Sequence, residues 1–177
     1  MDFRDLVQKR RSIRRFTEEE LTGEQVQTIV RAGLMAPTSK GTRAWHFLVV
    51  DEKDKLEQLS QCRPAGADFV KGAALAIVVG VDSRVTDVWT EDGAIAAVTM
   101  QYQAADLGIG SCWAQVRLRT WDDGTSAADI VRSVLGAPQW WEPVCIVGFG
   151  HPAQERKLQD EDKLKWEAVH VNGFTAG

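Results

Sequence analysis

A chain of 177 residues, 44% hydrophobic and 26% charged, is long enough to bury one real core and has the composition of a globular domain. Its net charge of −4 and sequence pI of about 5.4 exclude a broad nucleic-acid footprint. Cys62, Cys112 and Cys145 are too few, and oddly numbered, for a disulfide framework, and none forms a Cys-x-x-Cys pair.

No apolar leader and no run of membrane-spanning length is visible, so a reducing cytoplasm is the expected compartment and no membrane partner is expected. Seven Trp suggest an interface or a pocket for a flat ligand, with core filling taking some of them.

In chain order, residues 2–9 read as a short helix with Phe3, Leu6 and Val7 on one face. It delivers the run Arg10-Arg11-Ser12-Ile13-Arg14-Arg15-Phe16 at its C-terminal end. That end of a helix dipole repels phosphate, so any anion held there is held by the arginines themselves. Thr22 and Gln25 form a capping box, and Val26, Ile29, Val30 and Leu34 recur at helical spacing until Pro37 stops the helix. A loop rich in Thr, Ser and Gly over residues 36–44 then runs into an apolar strand at residues 45–50.

A short helix is expected at 56–59, and the stretch 62–72 is uninformative, Phe69 and Val70 covering a pocket or docking on the core. Residues 73–81 are an almost unbroken apolar run, as in a central strand buried on both faces. The longest helix is expected at 91–107, with Glu91 and Asp92 in its first turn and Gly108 as its stop. Its broad apolar face calls for sheet on one side and a helix or second subunit on the other. A strand through Val116 follows, then a helix over 126–135. Trp140 and Trp141 are expected to precede a strand at 144–149. The charged tail, punctuated by Leu164, Trp166 and Val169, reads as a docked arm. Four strands and four or five helices make a compact α/β or α+β sandwich without repeat or internal linker.

Arg10, Arg11, Ser12 and Arg14 combine permanently charged, fixed donors with a hydroxyl, which suits an oxyanion. Solvated surface is the alternative, against which Ile13 and Phe16 would anchor the segment. The Pro37-Thr38-Ser39-Lys40-Gly41 run is first of all a turn, but a loop held at a strand end is a usual place for ligand contacts. Gly108-Ile109-Gly110 follows a helix and precedes a strand, the reverse of a dinucleotide fingerprint, so a helix stop and tight turn competes with a ligand role. His46, His151 and His170 lack metal-ligand spacing, Gly-x-Ser-x-Gly is absent, and Cys62 has no identifiable base.

Residues 10–16 match an Arg-Arg-Ser-(Val/Ile)-Arg-x-(Phe/Tyr) motif throughout. Ala36, Pro37, Trp45 and Phe47 match an Ala-Pro-Ser-x-x-Asn-x-Gln-Pro-Trp-x-Phe loop, with Thr38 for Ser, Gly41 for Asn, Arg43 for Gln and Ala44 for Pro. Leu107 through Trp113 match a Leu-Gly-(Leu/Ile)-Gly-Ser-Cys-Trp passage, and Gly150-His151-Pro152-Ala153 a Gly-(Tyr/His)-Pro-Ala-Glu passage that has Gln154 in place of Glu. In these passages, which arrive in order from Arg10 to about Pro152, the chain resembles the nitroreductase family of FMN-dependent oxidoreductases.

The resemblance implies an α+β fold, a three-layer α-β-α sandwich with a central, mostly antiparallel sheet, in a homodimer with FMN sites at the subunit interface. Residues 1–177 would form one domain, with 153–177 an arm docked on the core or the partner. The implied cofactor-binding residues are Arg10, Arg11, Ser12 and Arg14 for the phosphate and ribityl chain. Pro37, Thr38, Ser39, Gly41 and Arg43 would serve the ring of the FMN held mainly by the other subunit. Gly110 and Ser111 would lie beside the flavin, and Lys163 would return to the phosphate unless it is part of a solvated charge run.

Gly41 lacks the family amide, while Arg43 would place a cation near the pyrimidine side of the ring and raise its potential. The implied activity is ping-pong hydride transfer from NADH or NADPH through flavin N5 to a nitroaromatic, quinone or similar electrophile. No protein nucleophile is needed. The substrate face is expected to be open, or built from Trp140, Trp141 and residues 62–72. The alternative is a weakly active or non-catalytic flavin-binding dimer that retains the fold; a nucleic-acid binder ranks third, because the arginines form one short cluster without interleaved aromatics.

Overall fold

The computed structural model describes residues 2–174. Its centre is β2 (Leu75–Asp82), buried at every position. Side chains alternate across a strand, and here both sets are apolar. Leu75, Ile77, Val79 and Val81 enter one core, whereas Ala76 and Val78 enter the other. On either side of β2 pair β1 (Trp45–Val50) and β4 (Trp141–Gly150), and β3 (Gly110–Gln115) pairs with β4, giving the order β1-β2-β4-β3 with every pair antiparallel. The β1–β2 and β3–β4 connections join antiparallel neighbours, while α4 carries the chain from β2 across β4 to β3. With every hydrogen-bonded pair antiparallel, the sheet is that of an α+β fold rather than a doubly wound one.

Helices cover both faces. α1 (Phe3–Lys9), α2 (Gly23–Leu34) and α4 (Trp89–Asp106) form one layer, in which Ile29, Ala97, Met100 and Ala104 meet the sheet. α3 (Lys53–Ser60) and α5 (Ala127–Leu135) form the other, through Leu56, Leu59, Ala127 and Val131. The capping box at Thr22 is formed, with Gln25 N donating to Thr22 Oγ1 at 3.2 Å and Thr22 N to Gln25 Oε1 at 2.8 Å. Val70 is fully buried in the second core, with Phe69 packed against it, so residues 68–72 dock on the sheet.

Several expectations change. β4 begins at Trp141, so that residue lies within the strand rather than before it. Its indole packs over Gly80, where a Cβ would lie 2.1 Å from the ring, and a bulge between Val79 and Gly80 sets Pro143 opposite Gly80. α3 begins at Lys53, three residues before the helix expected at 56–59. α4 starts two residues earlier than expected, at Trp89. Leu34, expected in the buried stripe, is 51% exposed, and Phe3 is 65% exposed. From Glu155 to Phe174 every residue is exposed in the single chain, and the arm carries only short 3-10 turns.

Candidate functional site

A cleft of about 280 Å³ opens where α1 ends, α4 ends and β3 begins. Lys9, Arg10, Arg11, Ile13, Gly110 and Ser111 line it from the near side, and Gln154, Glu155 and Arg156 from the start of the arm. Arg10 is the C-cap residue of α1, with extended φ and ψ that turn the chain out of the helix. Its guanidinium stands over the Tyr102 ring, 5.9 Å from the centroid.

The segment then joins the sheet edge. Ser12 forms a parallel bridge with Ser111, Ile13 N donates to Ser111 O at 2.9 Å, and Phe16 bridges to Pro152. Ile13 is 8% exposed and lies against Gly110, where a Cβ would stand 2.8 Å from Ile13 Cγ2. Only glycine lets the arginine segment come this close. Ser111 is buried, and Gln101 Nε2 donates to its hydroxyl at 3.2 Å. Arg11 donates from Nη1 to the carbonyls of Lys157 and Leu158, which ties the root of the arm to the same cleft. Behind the segment, burial pushes the Cys112 thiol up, against smaller opposing effects of Arg14, Ser12 and Arg10, so it stays a neutral wall rather than a nucleophile.

Pro37, Thr38, Ser39, Gly41 and Arg43 lie elsewhere. Ser39–Gly41 is a single 3-10 turn, and Ser39 N donates to Asp92 Oδ1 at 2.9 Å. Asp92 is in the first turn of α4, whereas Ala105 of the cleft is in the last. Thirteen residues of helix separate the two, about 20 Å at about 1.5 Å per residue. Lys40, Gly41 and Arg43 have φ of 53°, 66° and 50°. Each non-glycine left-handed residue costs about 1–2 kcal/mol, so this loop is held against a local preference. Arg43 N donates to Thr38 Oγ1 at 3.1 Å and closes it.

Lys163 sits on the exposed arm, its Nζ 3.0 Å from Asp160 Oδ2, and does not line the cleft. Trp140, Trp141 and residues 62–72 do not line it either. Trp141 and Val70 are buried in the second core, and Trp140 packs against it. Lys9, Gln154, Glu155 and Arg156 do line it and were not singled out as site residues. Gln154 was visible as a departure in a matched passage; Arg156 is brought in by the fold of the arm root.

The profile of the Nitroreductase family matches residues 7–65 and 62–151. The chain belongs to the Nitroreductase family. Among solved structures, this nitroreductase-family chain is 45% identical to an FMN-dependent nitroreductase from Clostridium difficile R20291, with a TM-score of 0.94 over 96% of this chain and 98% of that one. A Methanothermobacter thermautotrophicus relative, whose name couples NADH dehydrogenase with NAD(P)H nitroreductase, is 31% identical over 94% of this chain and 87% of its own. The NADPH:FMN oxidoreductase of Vibrio harveyi, solved in complex with NAD+, shares the fold at 24% identity, with a TM-score of 0.82 over 97% of this chain and 77% of that one.

Proposed function

We propose that this chain is an FMN-dependent oxidoreductase that moves a hydride from NADH or NADPH to a nitroaromatic, quinone or similar small electrophile. The observation that carries this reading is the charge of the cleft: Lys9, Arg10, Arg11 and Arg156 face a single acidic residue, Glu155. Four cations beside the glycine backbone of residues 108–110 and the Ser12–Ser111 bridge fit a phosphate and a polyol chain.

FMN, when bound, supplies the ring that accepts and returns the hydride. Arg10 and Arg11 bind its phosphate, Ser12 adds a hydroxyl, and Arg14 brings a further cation to the same edge. Gly110 and Ser111 give the close wall along the ribityl side. No side chain of this chain has to attack the substrate, and its buried thiols are suited to none of that work.

The working unit is a homodimer with a site at each side of its interface. Residues 36–43 stand at the far end of α4 from the cleft, so the loop that meets a given flavin comes from the second copy. Exposed Leu34, Met35, Ile95 and Val98 on the α2–α4 layer supply apolar area for such an interface. The arm from residue 153 onward docks on the second copy through Leu164, Trp166 and Val169, each at least half exposed in the single chain. A flavin-binding dimer with weak turnover is the second reading, favoured by Gly41, which offers the ring no side-chain amide.

The visible spectrum of the purified protein, before and after added FMN and then anaerobically with NADH and NADPH, tests the first reading. Flavin absorbance that bleaches with either nicotinamide supports it. Bound flavin that neither reduces favours the second reading, and no flavin binding removes both.

A further inference from the structure

Asp92 was expected only as an acid in the first turn of a helix, a position where it would face water and the helix dipole. Instead it is 2% exposed. Its Oδ1 accepts from Ser39 N at 2.9 Å, across 53 positions of sequence, and its Oδ2 is buried without a hydrogen-bond partner among the described residues. Thr42 Oγ1, in the same loop, is also buried and unpartnered. A half-satisfied buried carboxyl is unfavourable for stability, so packing alone does not account for it.

What it does touch is the start of the loop whose next residues are left-handed. Gly41 N donates to Thr38 O and Thr42 N to Ser39 O, both within the loop, and Arg43 N to Thr38 Oγ1. These bonds shape the loop but do not fasten it to the body of the protein. The Ser39–Asp92 bond does, through the longest helix.

We propose that Asp92 is a positioning residue: its carboxyl clamps residues 38–43 to α4 and thereby fixes where the Arg43 guanidinium stands against the FMN bound by a second copy. This rests on the oxidoreductase reading above. With the clamp in place, Arg43 stabilises the negative charge of the reduced ring and raises its potential. With the clamp broken, the loop relaxes from its left-handed conformation and the cation is no longer held.

The test uses full-length flavoprotein carrying Asp92→Ala, Asp92→Asn or Arg43→Gln. One readout, trypsin cleavage after Lys40 and Arg43, follows the local opening of the loop and does not depend on flavin. The other is the midpoint potential of bound FMN.

Asp92→Ala is expected to speed cleavage several-fold and lower the potential. Asp92→Asn, which keeps an acceptor oxygen for Ser39 N, is expected to restore both. Arg43→Gln is expected to lower the potential without touching α4, which keeps the idea testable if the alanine variant does not fold. Unchanged cleavage in a folded Asp92→Ala, or an unchanged potential in Arg43→Gln, overturns the proposal. Wild-type protein that binds no FMN overturns the oxidoreductase reading and the role toward the ring with it; faster cleavage in Asp92→Ala would then show a purely structural clamp.

Discussion

Residues 10–16 and residues 36–43 are both short, polar and rich in cations, yet they are held by opposite means. The first is sewn to a sheet edge: a bridge to Ser111, a bridge to Pro152 and the buried side chain of Ile13 set its path, and its backbone stays in ordinary regions. The second pairs with no strand. It has three left-handed residues, closes on its own hydrogen bonds, and between its ends is tied to α4 by the Asp92 carboxyl. Sheet pairing and a buried anchor spread the path of the first segment over several contacts, whereas a clamped loop concentrates its geometry in a few atoms.

The largest test of this contrast is Ile13→Ala. Loss of the anchor should cost about 2–4 kcal/mol in urea denaturation, and it should weaken FMN binding as the arginines lose their fixed path. A cost near zero would mean that sheet pairing alone holds the segment. Arg11→Ala should remove a charge-assisted bond of about 1.5–3 kcal/mol, roughly ten- to a hundredfold in FMN affinity by fluorescence titration, with stability little changed. Equal affinity would place the phosphate elsewhere in the cleft.

Gly110→Ala should cost about 1–3 kcal/mol by thermal melting, because the added methyl meets the Ile13 side chain in a close-packed wall. A double variant with Ile13→Ala that is less destabilised than the sum of the two single variants would tie the effect to that contact. Gly41→Ala is expected to be the mildest, about 1–2 kcal/mol from its left-handed φ, since nothing lies within 4 Å of the added carbon. A larger loss than that of Ile13→Ala would reverse the contrast, making the loop the more rigid of the two.

The arginine segment was legible because its signal is local: Arg10 to Phe16 carry both the donors and their anchors within seven consecutive positions. The central strand was legible for a similar reason, since a strand apolar on both faces reads as an unbroken run, and β2 is buried throughout. The start of β4 was not. Trp141 and Pro143 fall before the strand expected at 144–149; a bulge and Gly80 on the neighbouring strand admit the proline opposite and the indole above. The role of Asp92 was hidden too, because an acid in a helix's first turn is satisfied by the dipole in most chains, and its partner is 53 residues away.

By itself the sequence determined the elements whose information is periodic or contiguous: the capped α2, the two-faced β2, the arginine run and the glycines of residues 108–110. Apolar spacing and cap chemistry act over one or two turns, so they are written where they operate. Tertiary structure alone decided the strand order β1-β2-β4-β3, the entry of Arg156 into the cleft, and the placing of the two polar segments at opposite ends of α4. Those depend on which distant surfaces bury each other, and burial has no address in any single stretch of chain.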